Sequence, residues 1–460
     1  MSRPTGRLLL DWACGSAIRL PPCCALEYCE SCSRSLRSIW GRLDYNSRLF
    51  CYRIANVIEQ QSAYSFHQYK TPLPVSRSRA LGLFAYVVIG VSFIDTMAQL
   101  PVLSPFTASL GSGATMIGVV LAAYSLANML GNLGAGAIID RLGRKTGIVG
   151  GMAVAGMAVA LYAVVLTPGQ LIGLRIVHGL GGAVLVPAAF AYAADIGAKQ
   201  RTGRAMGYSG AAVGVAALIG PASGGLLRSL FGFRALFVTL ASLMAITALA
   251  VMALLPESYR EKHAEQPLQF QRRIAPLLRN RSLHFAYIAV FFAQFAMGAL
   301  AHSLPLTIEA LGFSAARTGV LFSVFSLVAI LLFVLPSAGL SDRYGRPRLI
   351  RVGLALMAVG LALVALSGSL AALTPAMMVY GAGYGFVFPA LCATVVDQTD
   401  PFNRGSGFGV FYAVFSLGVA AGPIAAGVAT DAGLAPLAAV AGLLLAAQLL
   451  LWLQQAWRRP

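Results

Sequence analysis

Three side chains able to hold a proton or a fixed charge stand inside otherwise apolar runs: Asp95, in Ser92-Phe93-Ile94-Asp95-Thr96, and Arg175 with His178 three positions on. An ionisable group inside a membrane helix costs about 2.5–3.5 kcal/mol on insertion scales, so it faces a partner or water and marks a functional pathway. The chemistry open to such a set is proton transfer and charge pairing. Asp95 lies about 15 residues into its run, roughly 22 Å at 1.5 Å per residue, and Arg175 falls at a similar depth. A buried guanidinium keeps its charge and needs an acceptor, for which Asp95 is the nearest candidate. His178, on an apolar helix four positions before Gly182, reads as a packed side chain rather than a proton carrier. Tyr124, Asn128 and Asn132 recur every four residues on one helical face. That stripe suits a cavity wall and interhelical hydrogen bonding equally. With Gln294, Tyr384 and Asp95 they are the candidate substrate contacts.

The runs that must position these groups are long. Apolar residues make up 58% of 460 positions and charged ones only 11%, whereas soluble domains are near half apolar and a quarter charged. A spanning helix needs roughly 20 apolar residues. Twelve fit, at about 80–102, 113–136, 147–167, 170–194, 205–227, 235–255, 284–305, 317–339, 350–368, 372–396, 406–429 and 434–455. The expected class is therefore an all-α membrane protein.

The net charge of +18 does not point to nucleic acid, because its placement follows the membrane. With a cytoplasmic N-terminus, the 34 Lys and Arg divide as 11 up to Arg79, 19 in later inside segments, Arg175 within a span, and Arg228, Arg234 and Arg317 outside. This is the positive-inside asymmetry, and it places both termini in the cytoplasm of a multi-pass cell-membrane protein. The basic surface then meets anionic lipid heads.

Between spans 2 and 3 lies Gly136-x-x-x-Asp140-Arg141-x-Gly143-Arg144-Lys145, a charged turn. A second copy, Asp342-Arg343-x-Gly345-Arg346, follows 202 positions later with Ala338 for the leading Gly. At that offset Gly179 meets Gly381, Pro187 meets Pro389, Asp195 meets Asp397, and Gly220-Pro221 meets Gly422-Pro423. Earlier positions match at 201. A duplicated unit follows: an N-terminal bundle (77–255), a charged cytoplasmic linker (256–283) and a C-terminal bundle (284–460). The intramembrane charges are not duplicated, since Asp95 corresponds to Ala296 and Arg175 to Met377. Asymmetric charge on a symmetric frame assigns ion coupling to the first half.

Residues 1–76 hold six of the seven cysteines, including Cys29-x-x-Cys32, and no long apolar run. No second pair or His stands at ligand spacing, so no metal is expected. The patch at Leu8–Leu10 is too short for a secretory signal. The segment reads as a disordered leader. In span 5, Gly207, Gly210 and Gly214, then Gly220-Pro221-x-x-Gly224-Gly225, suggest a hinge or a close sliding surface.

From about Ala80 onward the chain resembles a twelve-helix transporter of the major facilitator superfamily, built from two parallel six-helix repeats. The Gly136–Lys145 turn matches that family's signature closely, and Arg175-x-x-His178-Gly179-x-Gly181-Gly182 resembles its span-4 motif. The family more often carries Gln where His178 stands. The Gly207–Gly225 glycines resemble a span-5 motif found mainly in antiporters and drug exporters, with Ala216 for its middle Gly. The leader has no counterpart. The resemblance implies a cytoplasmic gate at Gly136, Asp140, Arg141, Gly143, Arg144, Asp195, Asp342, Arg343, Gly345 and Arg346, which would latch the outward-open form against opposing helix ends. It implies a hinge at Gly220, Pro221, Gly224 and Gly225, and proton coupling at Arg175 and Asp95. The expected protein is a monomeric proton-coupled antiporter exporting small lipophilic or cationic compounds. Rivals are a symporter or exporter of a sugar or other metabolite, and a non-transporting membrane sensor. No cofactor is expected, and an enzyme is the least fitting class, for want of a nucleotide loop or a nucleophile with its base.

Overall fold

Glycines that let the chain reverse sharply punctuate the apolar runs. Among the described residues six have positive φ, and they pair at 201 or 202 residues: Gly111 with Gly312, Gly143 with Gly345, Gly232 with Gly433. A side chain is disfavoured in that conformation, so each marks a fixed stop between helices. The computed structural model describes residues 75–196, 202–258, 275–334, 343–400 and 403–456. The expectations for the Cys-bearing leader and for Asp342 lie outside them.

The described chain is helical, with no strand. In order the helices are α1 (Val75–Gln99), α2 (Leu103–Ser109), α3 (Ala114–Leu142), α4 (Arg144–Tyr162), α5 (Pro168–Ile196), α6 (Thr202–Leu254), α7 (Ala275–Arg279), α8 (Arg281–Ala310), α9 (Ala315–Val334), α10 (Arg346–Leu366), α11 (Leu370–Asp397), α12 (Arg404–Asp431) and α13 (Pro436–Ala456). Local chemistry sets several starts. Asn280 caps α8 by accepting from Ser282 and Leu283 amides, and Pro168 opens α5, where its missing N–H costs nothing. Ten of these helices are long and apolar enough to cross a membrane, and a shorter apolar stretch, Pro436–Leu449, follows. Leu83, Leu133, Leu166 and Leu366 are more than 60% exposed, a surface that only a hydrocarbon solvent tolerates at this density.

The break between spans 5 and 6 falls at Gly232, within the expected gap at 228–234, and Pro221 lies inside the helix before it; α6 is thus two helices meeting at Gly232. The charged turn is shorter than its sequence suggests. Helix α3 runs to Leu142, so Gly136, Asp140 and Arg141 are helical and Gly143 alone makes the reversal into α4.

Buried residues of α1 to α6 form two apolar clusters, around Met152 and Tyr192 and around Tyr162 and Phe237. Helices α7 to α13 supply a third, around Met357, Tyr380 and Leu444. Two seams join these sets, α3 against α12 and α6 against α9. In each, glycine admits the neighbouring backbone. A Cβ on Gly118 would meet Pro423 and Ile424, and one on Gly319 would meet Pro221 and Ala222. Gly225 faces Ala315 as Gly427 faces Ala114. These contacts recur at the 201–202 spacing because both seams use the same side-chain-free approach.

Most polar ties between the two sets lie toward one end of the molecule, away from the Gly143 turn, while Ser323 of α9 donates to the Leu218 carbonyl further along the α6 seam. Asp431 accepts from the Ala114 and Thr115 amides at 3.3 and 3.0 Å and from the Thr115 hydroxyl at 2.6 Å. The Ala316 amide donates to the Ser229 hydroxyl at 2.9 Å. Arg228 pairs with Glu309 at 2.8 Å, and Ser104 donates to the Ala301 carbonyl at 3.0 Å.

Candidate functional site

Asp95 sits on α1 one helical turn before Gln99, so both side chains leave the same face. Helix α5 brings His178 to that face, with Nε2 2.7 Å from Asp95 Oδ2. The other carboxylate oxygen accepts from Gln99 Nε2 at 2.9 Å. Behind the imidazole, the Tyr162 hydroxyl of α4 lies 3.0 Å from Nδ1. Asp95 is 3% exposed and His178 1%, which leaves bulk water no part in satisfying either. Both ring nitrogens have partners. With the carboxylate ionised, Nε2–H donates to Asp95 and Nδ1 accepts from Tyr162.

Arg175 does not reach Asp95 directly. Gln99 stands between them, giving its amide N–H to Asp95 while its carbonyl oxygen accepts from Arg175 Nη1 at 3.4 Å. The guanidinium also donates to the Val120 and Leu121 carbonyls of α3, at 3.4 and 3.5 Å, and lies 4.7 Å over the Tyr124 ring. Its charge is thus spread over peptide and ring dipoles. The Tyr124 ring touches His178 edge-on at 4.8 Å, so α1, α3, α4 and α5 meet in one polar knot. The corresponding positions of the later helices are Ala296, Leu300, Val364, Met377 and Tyr380, all buried.

The remaining expected substrate contacts divide. Asn128 donates to the Gly179 carbonyl at 3.2 Å and Asn132 donates to Asn128 at 2.9 Å, so the asparagines bind α3 to α5. Gln294 and Tyr384 meet at 3.2 Å among the rings of Phe325 and Phe388. Neither touches the Asp95 knot.

At the end of the molecule near Gly143, Arg144 bonds Asp140 at 2.6 Å and lies 3.5 Å from Asp195 at the foot of α5. Glu257, just past α6, accepts from the Arg144 and Lys145 amides at 2.7 and 3.1 Å. It thereby caps α4 from a distance of over a hundred residues along the chain. Ser258 donates to Asp195 at 2.9 Å. The later helices repeat the core of this arrangement, with Arg346 of α10 bonded to Asp397 of α11. These pairs join helices within each set and do not cross the seams. Arg141 is exposed, and Arg343 lies over the neighbouring Tyr344 ring. The expected hinge residues make packing surfaces: Gly220 and Gly224 admit Met97 and Ala98 of α1, while Pro221 and Gly225 face α9.

A sequence profile described as Major Facilitator Superfamily matches residues 85–330 and 286–460. The chain belongs to this superfamily. Among curated members, Multidrug resistance protein 2 of Bacillus subtilis (strain 168) is 26% identical over 273 residues, 58% of this chain and 68% of that protein. The class C tetracycline resistance protein of Escherichia coli is 28% identical over 348 residues, 75% of this chain and 87% of its own length. The superfamily likeness extends to shape. The nucleoside transporter NupG superposes with a TM-score of 0.69 at 17% identity, covering 81% of this chain and 98% of that one. A bacterial homologue of the human lysosomal transporter Spinster, inward-facing and occupied, gives 0.69 at 16% identity over 84% and 98%. This protein is accordingly a multi-pass membrane transporter of the major facilitator superfamily.

Sequence reasoning passed over Gln99, Tyr162 and Glu257, and read His178 as a packed side chain. His178 carried a signal, since it follows Arg175 by three and so shares its helical face. Gln99 follows Asp95 by four in the same way. Tyr162 and Glu257 gave none, because each meets its partner only through packing of separate helices.

Proposed function

We propose that this transporter is a proton-coupled antiporter exporting small lipophilic cations by alternating access, with both termini in the cytoplasm. The observation that carries the reading is the buried Asp95 knot in the first helix set, whose matching positions in the second, Ala296, Leu300, Val364, Met377 and Tyr380, hold no carboxylate, guanidinium or imidazole. A transporter that needed polarity only for helix packing would have no reason to confine it to one half of a repeated frame. The multidrug and tetracycline resistance relatives favour export.

Counting α6 as two spans about Gly232 and α13 as the last gives twelve, in two parallel sets of six. With Arg-rich turns inside, the tied seams lie on the outer side, and the described conformation opens inward. Opening outward then requires the Asp431, Ser229 and Glu309 ties to break while the two sets rock about the glycine-lined seams. A proton taken up at the Asp95 site cancels its attraction for a cationic substrate, and release of the proton inside restores it.

The test is Asp95→Asn in proteoliposomes with an imposed pH gradient and ethidium as the probe. Insertion and folding should be retained and gradient-driven flux should fall by about 100-fold, of the order expected for loss of a proton-transfer group. Wild-type flux from the variant would remove Asp95 from the mechanism. Ethidium flux in the wild-type protein that ignores the gradient would remove proton coupling.

A further inference from the structure

We propose that the proton site of this transporter is a dyad, Asp95 with His178, in which the Tyr162 hydroxyl is a positioning group that follows the imidazole's charge. The proposal deepens the antiport reading and rests on it. Three observations lead here. His178 Nε2 and Asp95 Oδ2 are 2.7 Å apart with both side chains almost wholly buried. Nδ1 is 3.0 Å from a hydroxyl that can either donate or accept. The charged and titratable groups facing the imidazole are Asp95 from α1, Tyr124 from α3, Tyr162 from α4 and Arg175 from α5 itself. Helix α6 packs Phe237 against Tyr162.

The proton balance is simple. Without the proton, Asp95 is ionised, Arg175 is charged, and the imidazole is neutral with its hydrogen on Nε2, so the knot carries no net charge. One incoming proton lands on Nδ1 and makes an imidazolium. Its Nε2–H stays on Asp95, and Tyr162 rotates its O–H away so that its oxygen accepts from Nδ1–H. The imidazole keeps a partner on both nitrogens in either state, so the buried site changes charge without losing either of its ring hydrogen bonds. Gln99 holds the second carboxylate oxygen throughout and keeps Arg175 from occupying the place of the imidazole.

The experiment compares wild type, His178→Gln and Tyr162→Phe in proteoliposomes, measuring ethidium flux against pH, together with infrared difference spectra of the purified protein over the same pH range. Glutamine keeps a donor toward Asp95 but no second base. His178→Gln should move the flux profile to acid by about one pH unit or more, a tenfold change in proton affinity, and abolish the imidazole band that titrates in wild type. Tyr162→Phe should move it the same way by less, with substrate affinity unchanged. A flux profile and spectrum in both variants superimposable on wild type would overturn the dyad while leaving Asp95 as the proton carrier. Loss of gradient dependence in wild type itself would instead overturn the antiport reading.

Discussion

Asp431, the last residue of α12, holds the first turn of α3 by accepting from the backbone amides of Ala114 and Thr115 and from the Thr115 hydroxyl. A carboxylate is thus the cap of a helix more than 300 residues away, on the other helix set. At the matching seam Ser229 does the same for the Ala316 amide. Each cap must be given up when the two sets part.

Replacing Asp431 by Ala should therefore favour the parted form. A lost N-cap is worth about 1 kcal/mol, so the population ratio should change about fivefold. Spin labels at Ser109 and Leu434, in a background without native cysteines, would report it as a growing long-distance component. An unchanged distance distribution would mean that the cap does not bias the equilibrium.

Arg228 and Glu309 make a second tie, partly exposed and therefore weak, about 0.2–1 kcal/mol. Arg228→Glu alone should widen the same distance distribution, and adding Glu309→Arg should return it toward wild type. Failure of the second change to restore the first would show that the pair acts through something other than charge.

Arg175→Lys should not be conservative. The guanidinium serves Gln99, two carbonyls of α3 and the Tyr124 ring at once, and an ammonium cannot present that fork. Two lost charged hydrogen bonds at about 1.5–3 kcal/mol each should lower flux at least tenfold, while Tyr124→Phe, which keeps the ring, should leave it within about twofold. Equal flux in the two variants would contradict the geometry.

Gly143→Ala should destabilise the turn between α3 and α4. Its φ of 96° is disfavoured for any residue with a Cβ, by about 1–2 kcal/mol, and Glu257 occupies the space a Cβ would need. Glu257→Ala removes the cap on α4 and should cost about 1 kcal/mol. Both should lower the melting temperature in detergent, and a double variant should fall short of the sum, because the first change already displaces the carboxylate. Strict additivity would separate the two effects.

The membrane class, the helix runs and the pairing of the charged turns were legible in the residues, because apolar length and glycine placement are local properties. The recurrence at 201–202 residues carried further, since the same glycines admit the same neighbours in both seams. The break in α6 was legible as the gap between spans 5 and 6, and the reversal falls there at Gly232, where no side chain opposes positive φ. The part played by Pro221 was not legible: it sits within a helix whose face is pressed between α1 and α9.

Composition and spacing alone put Asp95 and Arg175 at a common depth in the bilayer. Only tertiary structure decided that they do not touch, that Gln99 is the bridge, and that the carboxylate turns instead to His178. The reason is angular. Rise per residue fixes how deep a side chain sits, but which neighbour it meets depends on the rotation and crossing of four helices about their axes. That rotation is set by glycine contacts and packed rings spread along the whole chain.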